Sequence, residues 1–172
     1  MKLKSILEEV LQELNVPKPE DAYQFDDIKV EDTNSGRMYT YIYTNNLGQK
    51  MEVTNMVSKL SKEPERSIYI AFAKYDPNAP EPEHPDDEEL KYGEMTGAKD
   101  TLKVLATVVE ATKRTMKSEG GKDNIYSILY SPADKKRANI YLHYIETLIP
   151  GFEKAPTQKG SFARFVNKDF KD

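Results

Sequence analysis

The sequence predicts a mixed α/β domain: an N-terminal helix, an antiparallel meander, then a β-α-β-α-β second half. Three observations predict it. Apolar residues fall at helical spacing before residue 15 and alternate with a period of two between Tyr23 and Ala73. They return to three- and four-residue steps after Leu102. A single domain over residues 1–172 is expected, with residues 76–92 inserted as an acidic, proline-rich loop.

Ile6, Leu7, Val10, Leu11 and Leu14 share one face of the first helix, opposite Lys4, Glu8, Glu9, Gln12 and Glu13, and Asn15, Pro17 and Pro19 stop it. Phe25, Ile28 and Val30 read as a first strand, ended by Thr33-Asn34-Ser35-Gly36. Met38 to Tyr43 is strongly strand-prone and rich in tyrosine. Asn45-Asn46-Leu47-Gly48 turns the chain, and Lys50 to Val53 returns as its partner. Ser67 to Ala73 is more continuously apolar, which suits a central strand.

After the acidic loop, Leu102, Leu105, Val108, Val109, Thr112 and Met116 mark a helix that Gly120-Gly121 terminates. Asn124 to Tyr130 follows as a buried strand, closed by Pro132. Asp134 is placed to cap a helix carrying Ala138, Tyr141, Leu142, Ile145 and Leu148, and Pro150-Gly151 ends it. Phe152, and then Phe162 to Val166, suggest one final strand. A helix between two strands can link parallel neighbours, so strands 67–73 and 124–130 are expected side by side.

Composition narrows the function classes. The 172 residues are 38% hydrophobic and 31% charged, with 11 Tyr and 6 Phe, enough apolar surface for a core without staples. The absence of cysteine excludes a disulfide framework, a thiol nucleophile and Cys-ligated metal. Acids arrive too early after Met1 for a signal peptide's apolar core, and no run approaches the ~20 apolar residues of a membrane-spanning helix. A soluble protein of the cytoplasm is therefore expected, with no membrane partner.

Charge is unevenly placed. Asp76 to Glu89 holds seven acids, four prolines and no Lys or Arg, so the net −4 of the chain leaves +3 for everything else. Such a stretch stays extended and solvated. His84 lies within it beside Glu83 and Asp86, without the converging ligands that a metal needs. Lys113, Arg114 and Lys117, Lys135 to Arg137, and Lys159, Arg164 and Lys168 are basic clusters, and the meander tyrosines offer faces on which bases stack. The acidic loop and the lack of an RRM-type aromatic motif argue against nucleic acid.

The succession of elements, with a few local signals, resembles the GNAT acyl-CoA N-acyltransferases. That family holds the coenzyme A pyrophosphate on backbone N–H groups of a Q/R-x-x-G-x-G/A turn opening a helix. The matching stretch is Glu94-Met95-Thr96-Gly97-Ala98-Lys99: Gly97 agrees, while Glu94 and Lys99 depart from the pattern. The resemblance implies a GNAT-like sheet, acetyl-CoA as cofactor held by Gly97, Ala98 and Lys99, and Tyr141 as general acid toward the leaving thiolate. Tyr144 is a second candidate for that role, and Glu52, Glu94 and His143 are candidate bases. A bland reading stands beside each: Thr96-Gly97 as a helix-starting turn, Tyr141 as a packed core residue.

Residues 92–152 also resemble a group of tailed-bacteriophage proteins of uncharacterised activity. They share the Thr96-Gly97-Ala98-Lys99 turn, the Val104 to Val108 helix segment, and Arg137 with Tyr141. This resemblance implies a phage-encoded protein of the host cytoplasm or virion, with phage structural proteins or a host protein as partners. Two functions follow as expectations. The favoured one is a non-catalytic virion-associated or host-interaction protein, because the phosphate turn is degenerate and no base is evident. The alternative is an acetyl-CoA-dependent N-acyltransferase.

Overall fold

A computed structural model describes residues 19–58, 66–78, 98–130, 145–156 and 163–170. Four strands form first: β1 (Phe25–Asp32), β2 (Gly36–Thr44), β3 (Lys50–Ser58) and β4 (Ser67–Lys74). The long helix α1 (Ala98–Ser118) follows, then β5 (Ser127–Tyr130), β6 (Phe152–Ala155) and β7 (Ala163–Asn167). They make one seven-stranded sheet in the order β1-β2-β3-β4-β5-β7-β6. β1 to β4 are an antiparallel meander. β4 and β5 are parallel, as expected for the strands flanking the helix. β7 then pairs antiparallel with both β5 and β6.

This corrects the expected fold class. In place of a GNAT-like α/β arrangement with an N-terminal helix and a β-α-β-α-β second half, the described residues form a mostly-sheet protein with one long helix. The expected first helix, before residue 15, lies outside the described residues. Of the expected helix from Asp134, only 145–148 is described as helical. The single final strand is two strands, with β7 inserted between β5 and β6. The physical reason is length. Four- and five-residue strands are too short for a period of two to show, and in β6 one buried residue, Phe152, is followed by two exposed ones, Glu153 and Lys154.

Register sorts the side chains into two faces. Tyr41, Val53 and Phe72 lie in one cross-strand row, and Asn55 with Ile70 in the next. Ile68, Ile128 and Phe165 carry the same face across the parallel pair. This face packs with Leu105, Val108, Val109, Ala111 and Met116 of α1 to form the core. On the other face Thr40, Thr54, Met56, Ala71 and Ala73 are half-buried. The expectation of a central strand at 67–73 holds: β4 is fourth of seven and buried or half-buried at every position but its last.

Two glycines are demanded by geometry. At Gly36 an added Cβ would fall 2.0 Å from the Val57 carbonyl oxygen, so the β2–β3 approach requires its absence. Gly121, at φ 109°, ends α1 in a conformation that L side chains rarely adopt, and its N–H bonds the Met116 carbonyl at 2.8 Å. No described helix is long and apolar enough to cross a membrane.

Candidate functional site

The expected coenzyme A and catalytic residues are only partly placed. Gly97, Glu94, Tyr141, His143 and Tyr144 lie outside the described residues, as do residues 79–92 of the acidic loop expected at 76–92. Ala98 and Lys99 are the first residues of α1. Glu52 sits half-buried on β3, paired in register with Ile42 and Ala73 on the face away from α1. Among the described residues no three His, Asp or Glu side chains gather as a metal site would need.

Three of the basic residues, Arg114, Arg164 and Lys168, are engaged locally. Arg114 bonds Glu110 one turn earlier at 2.8 Å and lies 5.0 Å from the Phe25 ring centre. Arg164 lies over Tyr126, and Lys168 pairs with Glu153. Tyr39, Tyr41 and Tyr43, expected as stacking or contact surface, are buried instead beneath α1. All three supply core volume, and Tyr39 and Tyr41 add inward hydrogen bonds.

Those inward bonds form a polar seam between sheet and helix. The Tyr41 and Thr115 hydroxyls meet at 2.9 Å, and the Asn55 side-chain amide donates to Thr115 Oγ1 at 3.0 Å. At the end of the seam Tyr39 donates to Glu119 Oε1 at 2.6 Å. Arg66 Nη1 reaches Glu119 Oε2 at 3.0 Å and Arg37 Nη1 lies 3.6 Å from Oε1. The Glu119 side chain is only 7% exposed, just past the end of α1, where the helix dipole disfavours a carboxylate. The two guanidinium groups offset that placement. Burial raises the Tyr39 and Tyr41 hydroxyls above the ordinary phenol range. At Tyr39 the bond to Glu119 raises it further, whereas at Tyr41 the bond to Thr115 opposes the shift. Residues this far apart in sequence leave no spacing by which the seam could be read beforehand. Its arrangement is that of a structural lock.

The opposite edge of the meander has a different character. Asp26 to Asp32 of β1 are exposed at every position. Ile28 and Val30 are 44% and 54% exposed, and they stand opposite Tyr41 and Tyr39, hence on the α1 face. Asp27, Lys29 and Glu31 stand opposite Ile42, Thr40 and Met38 on the other face. Lys29 donates to the Tyr75 hydroxyl at 3.1 Å and lies over that ring, which raises its pKa above the ordinary ammonium value. Asp26 accepts from Thr44 at 2.7 Å, and Asp32 accepts from Arg37 at 2.9 Å. No described strand pairs with the outer edge of β1. A row of backbone donors and acceptors on such an edge is a template for a further strand.

No family model, curated protein or solved structure matches this chain.

Proposed function

We propose that this chain is a non-catalytic interaction protein of phage origin, acting in the virion or on a host protein. The observation that carries the reading is β1, whose residues from Asp26 to Asp32 are all exposed and include two large aliphatic side chains. An edge strand with Ile and Val in solvent invites aggregation unless something covers it or charge protects it. Asp27, Lys29 and Glu31 supply the charge, while the aliphatic face stays open to a partner.

The test is quantitative mass spectrometry of the particles of the encoding phage, alongside affinity purification of the full chain from infected cells. Stoichiometric presence in particles, or a specific host protein retained by the chain, supports the reading. Acetyl-CoA serves as the counter-test. A ligand at 100 times its Kd adds about 2.7 kcal/mol of apparent stability. A thermal shift of that size, together with acyl transfer to an amine, would overturn the interaction reading.

A further inference from the structure

Resting on that reading, we propose that β1 is a strand-addition site, and that its partner is an extended basic segment of another protein. The added segment would become an eighth strand of the sheet beside β1.

The side chains of β1 specify the chemistry of such a segment. Residues directly opposite one another in paired strands share a face and interact. Ile28 and Val30 call for apolar side chains opposite them on the α1 face, where they would extend the partly buried surface around Phe25. Glu31 calls for Lys or Arg on the other face, as does Asp27, whose carboxylate accepts from the exposed Ile28 N–H at 2.9 Å and would exchange that bond for the added strand. Lys29, between them, is already held by Tyr75, so a neutral polar residue suits the position opposite. The pattern is thus basic, apolar, neutral polar, apolar, basic. It reads the same in both directions, so it holds for either strand orientation. Backbone hydrogen bonds supply the common attraction of strand addition, and the alternating side chains supply selectivity.

A second copy of this chain fits less well. With two β1 strands antiparallel and centred on Lys29, Asp27 of each copy faces Glu31 of the other and the two Lys29 residues face each other, so every charged pair on that face has like sign, which is destabilising. Centred on Ile28 or Val30, Lys29 of each copy faces Asp27 or Glu31 of the other, but the remaining acid of each copy is left without a basic partner. A basic strand pairs both acids at once.

The probe is a capped, fluorescent peptide built on Lys-Val-Thr-Val-Lys, titrated against the full chain at low salt. A Glu-Val-Thr-Val-Glu peptide and a backbone N-methylated Lys-Val-Thr-Val-Lys peptide are the controls. Saturable binding of the basic peptide, with backbone amide shifts confined to residues 25–32, is expected. Charge reversal should weaken it roughly tenfold, from two exposed ion pairs turned to repulsions. N-methylation should abolish it, since the ladder donors are gone. The double variant Asp27→Lys with Glu31→Lys, with its melting temperature checked, should invert the preference toward the acidic peptide.

Equal binding of both peptides, or binding of the N-methylated probe, would overturn the proposal. So would shifts elsewhere on the sheet, or no binding at millimolar peptide. Concentration-dependent dimerisation abolished by the double variant would overturn it in favour of a second copy. A partner retained by both the wild-type chain and the double variant would sink this docking mode while leaving the interaction reading intact. The N-methylated probe leaves the protein untouched, so the test does not depend on any variant folding.

Discussion

β1 and β4 are each eight residues long, lie in the same sheet and alternate their side chains across the same two faces. In β4 the helix-side residues Ile68, Ile70 and Phe72 are buried between β3, β5 and α1. In β1 the matching positions Ile28 and Val30 reach solvent. Composition already separates them, since β4 is almost continuously apolar while β1 carries four acids and a lysine, and position in the sheet completes the difference. α1 packs over the middle of the sheet, and β1 has one described neighbour where β4 has two. The strand buried on that face carries stability, and the strand left outside is available for recognition.

The sharpest way to break the contrast is Phe72→Ala, which removes a fully buried ring from beneath α1. A loss of about 3–5 kcal/mol in denaturant unfolding is expected. A loss below about 1 kcal/mol would show that β4 is not the core strand described. Thr115→Val tests the polar seam. It strips the shared partner from the Tyr41 hydroxyl and the Asn55 amide, both buried, and should destabilise by about 2 kcal/mol. An equal cost for Tyr41→Phe and Thr115→Val would argue that Asn55 contributes nothing.

A pH titration sharpens the same contrast at smaller amplitude. Burial raises Tyr39 and Tyr41 above the ordinary phenol value in the folded chain. Their folded forms therefore hold the proton longer than the unfolded chain does. The associated stability is fully present below pH ~10 and falls as pH rises through the folded values. Unfolding free energy should show a steep alkaline decline, and Tyr41→Phe should make it shallower. A slope identical in the variant would remove Tyr41 from the account.

The smallest effect is expected at β1. Ile28→Thr with Val30→Thr keeps β-branched residues on an exposed edge, so unfolding free energy should stay within about 0.5 kcal/mol. Binding of the basic peptide, by contrast, should weaken measurably. A large stability loss would mean that this face of β1 is covered in the folded protein.

Much of the fold is legible in the sequence because it rests on local signals. The meander shows as alternation and turn residues around Gly36 and Asn45 to Gly48, and α1 as its apolar stripe with Gly120-Gly121 behind it. The parallel placement of β4 beside β5 follows from the intervening helix. The GNAT-like arrangement does not survive, because two strands too short to declare themselves lie within the expected β-α-β-α-β half. Of the expected site, only Ala98, Lys99 and Glu52 lie among the described residues, the first two opening α1 and Glu52 on β3.

What the sequence determined by itself is the meander, α1 and the strand that follows it, with the side chains that alternate together there, because periodicity and turn chemistry act over a few residues. Only the tertiary structure decided that three tyrosines of β2 point into the core, and that Arg37, Arg66, Tyr39 and Glu119 meet at one end. It alone decided that β1, with Ile28 and Val30, is left on the outside. Those outcomes depend on where α1 rests and on strand order. Both are set by contacts between residues dozens of positions apart, which no local spacing encodes.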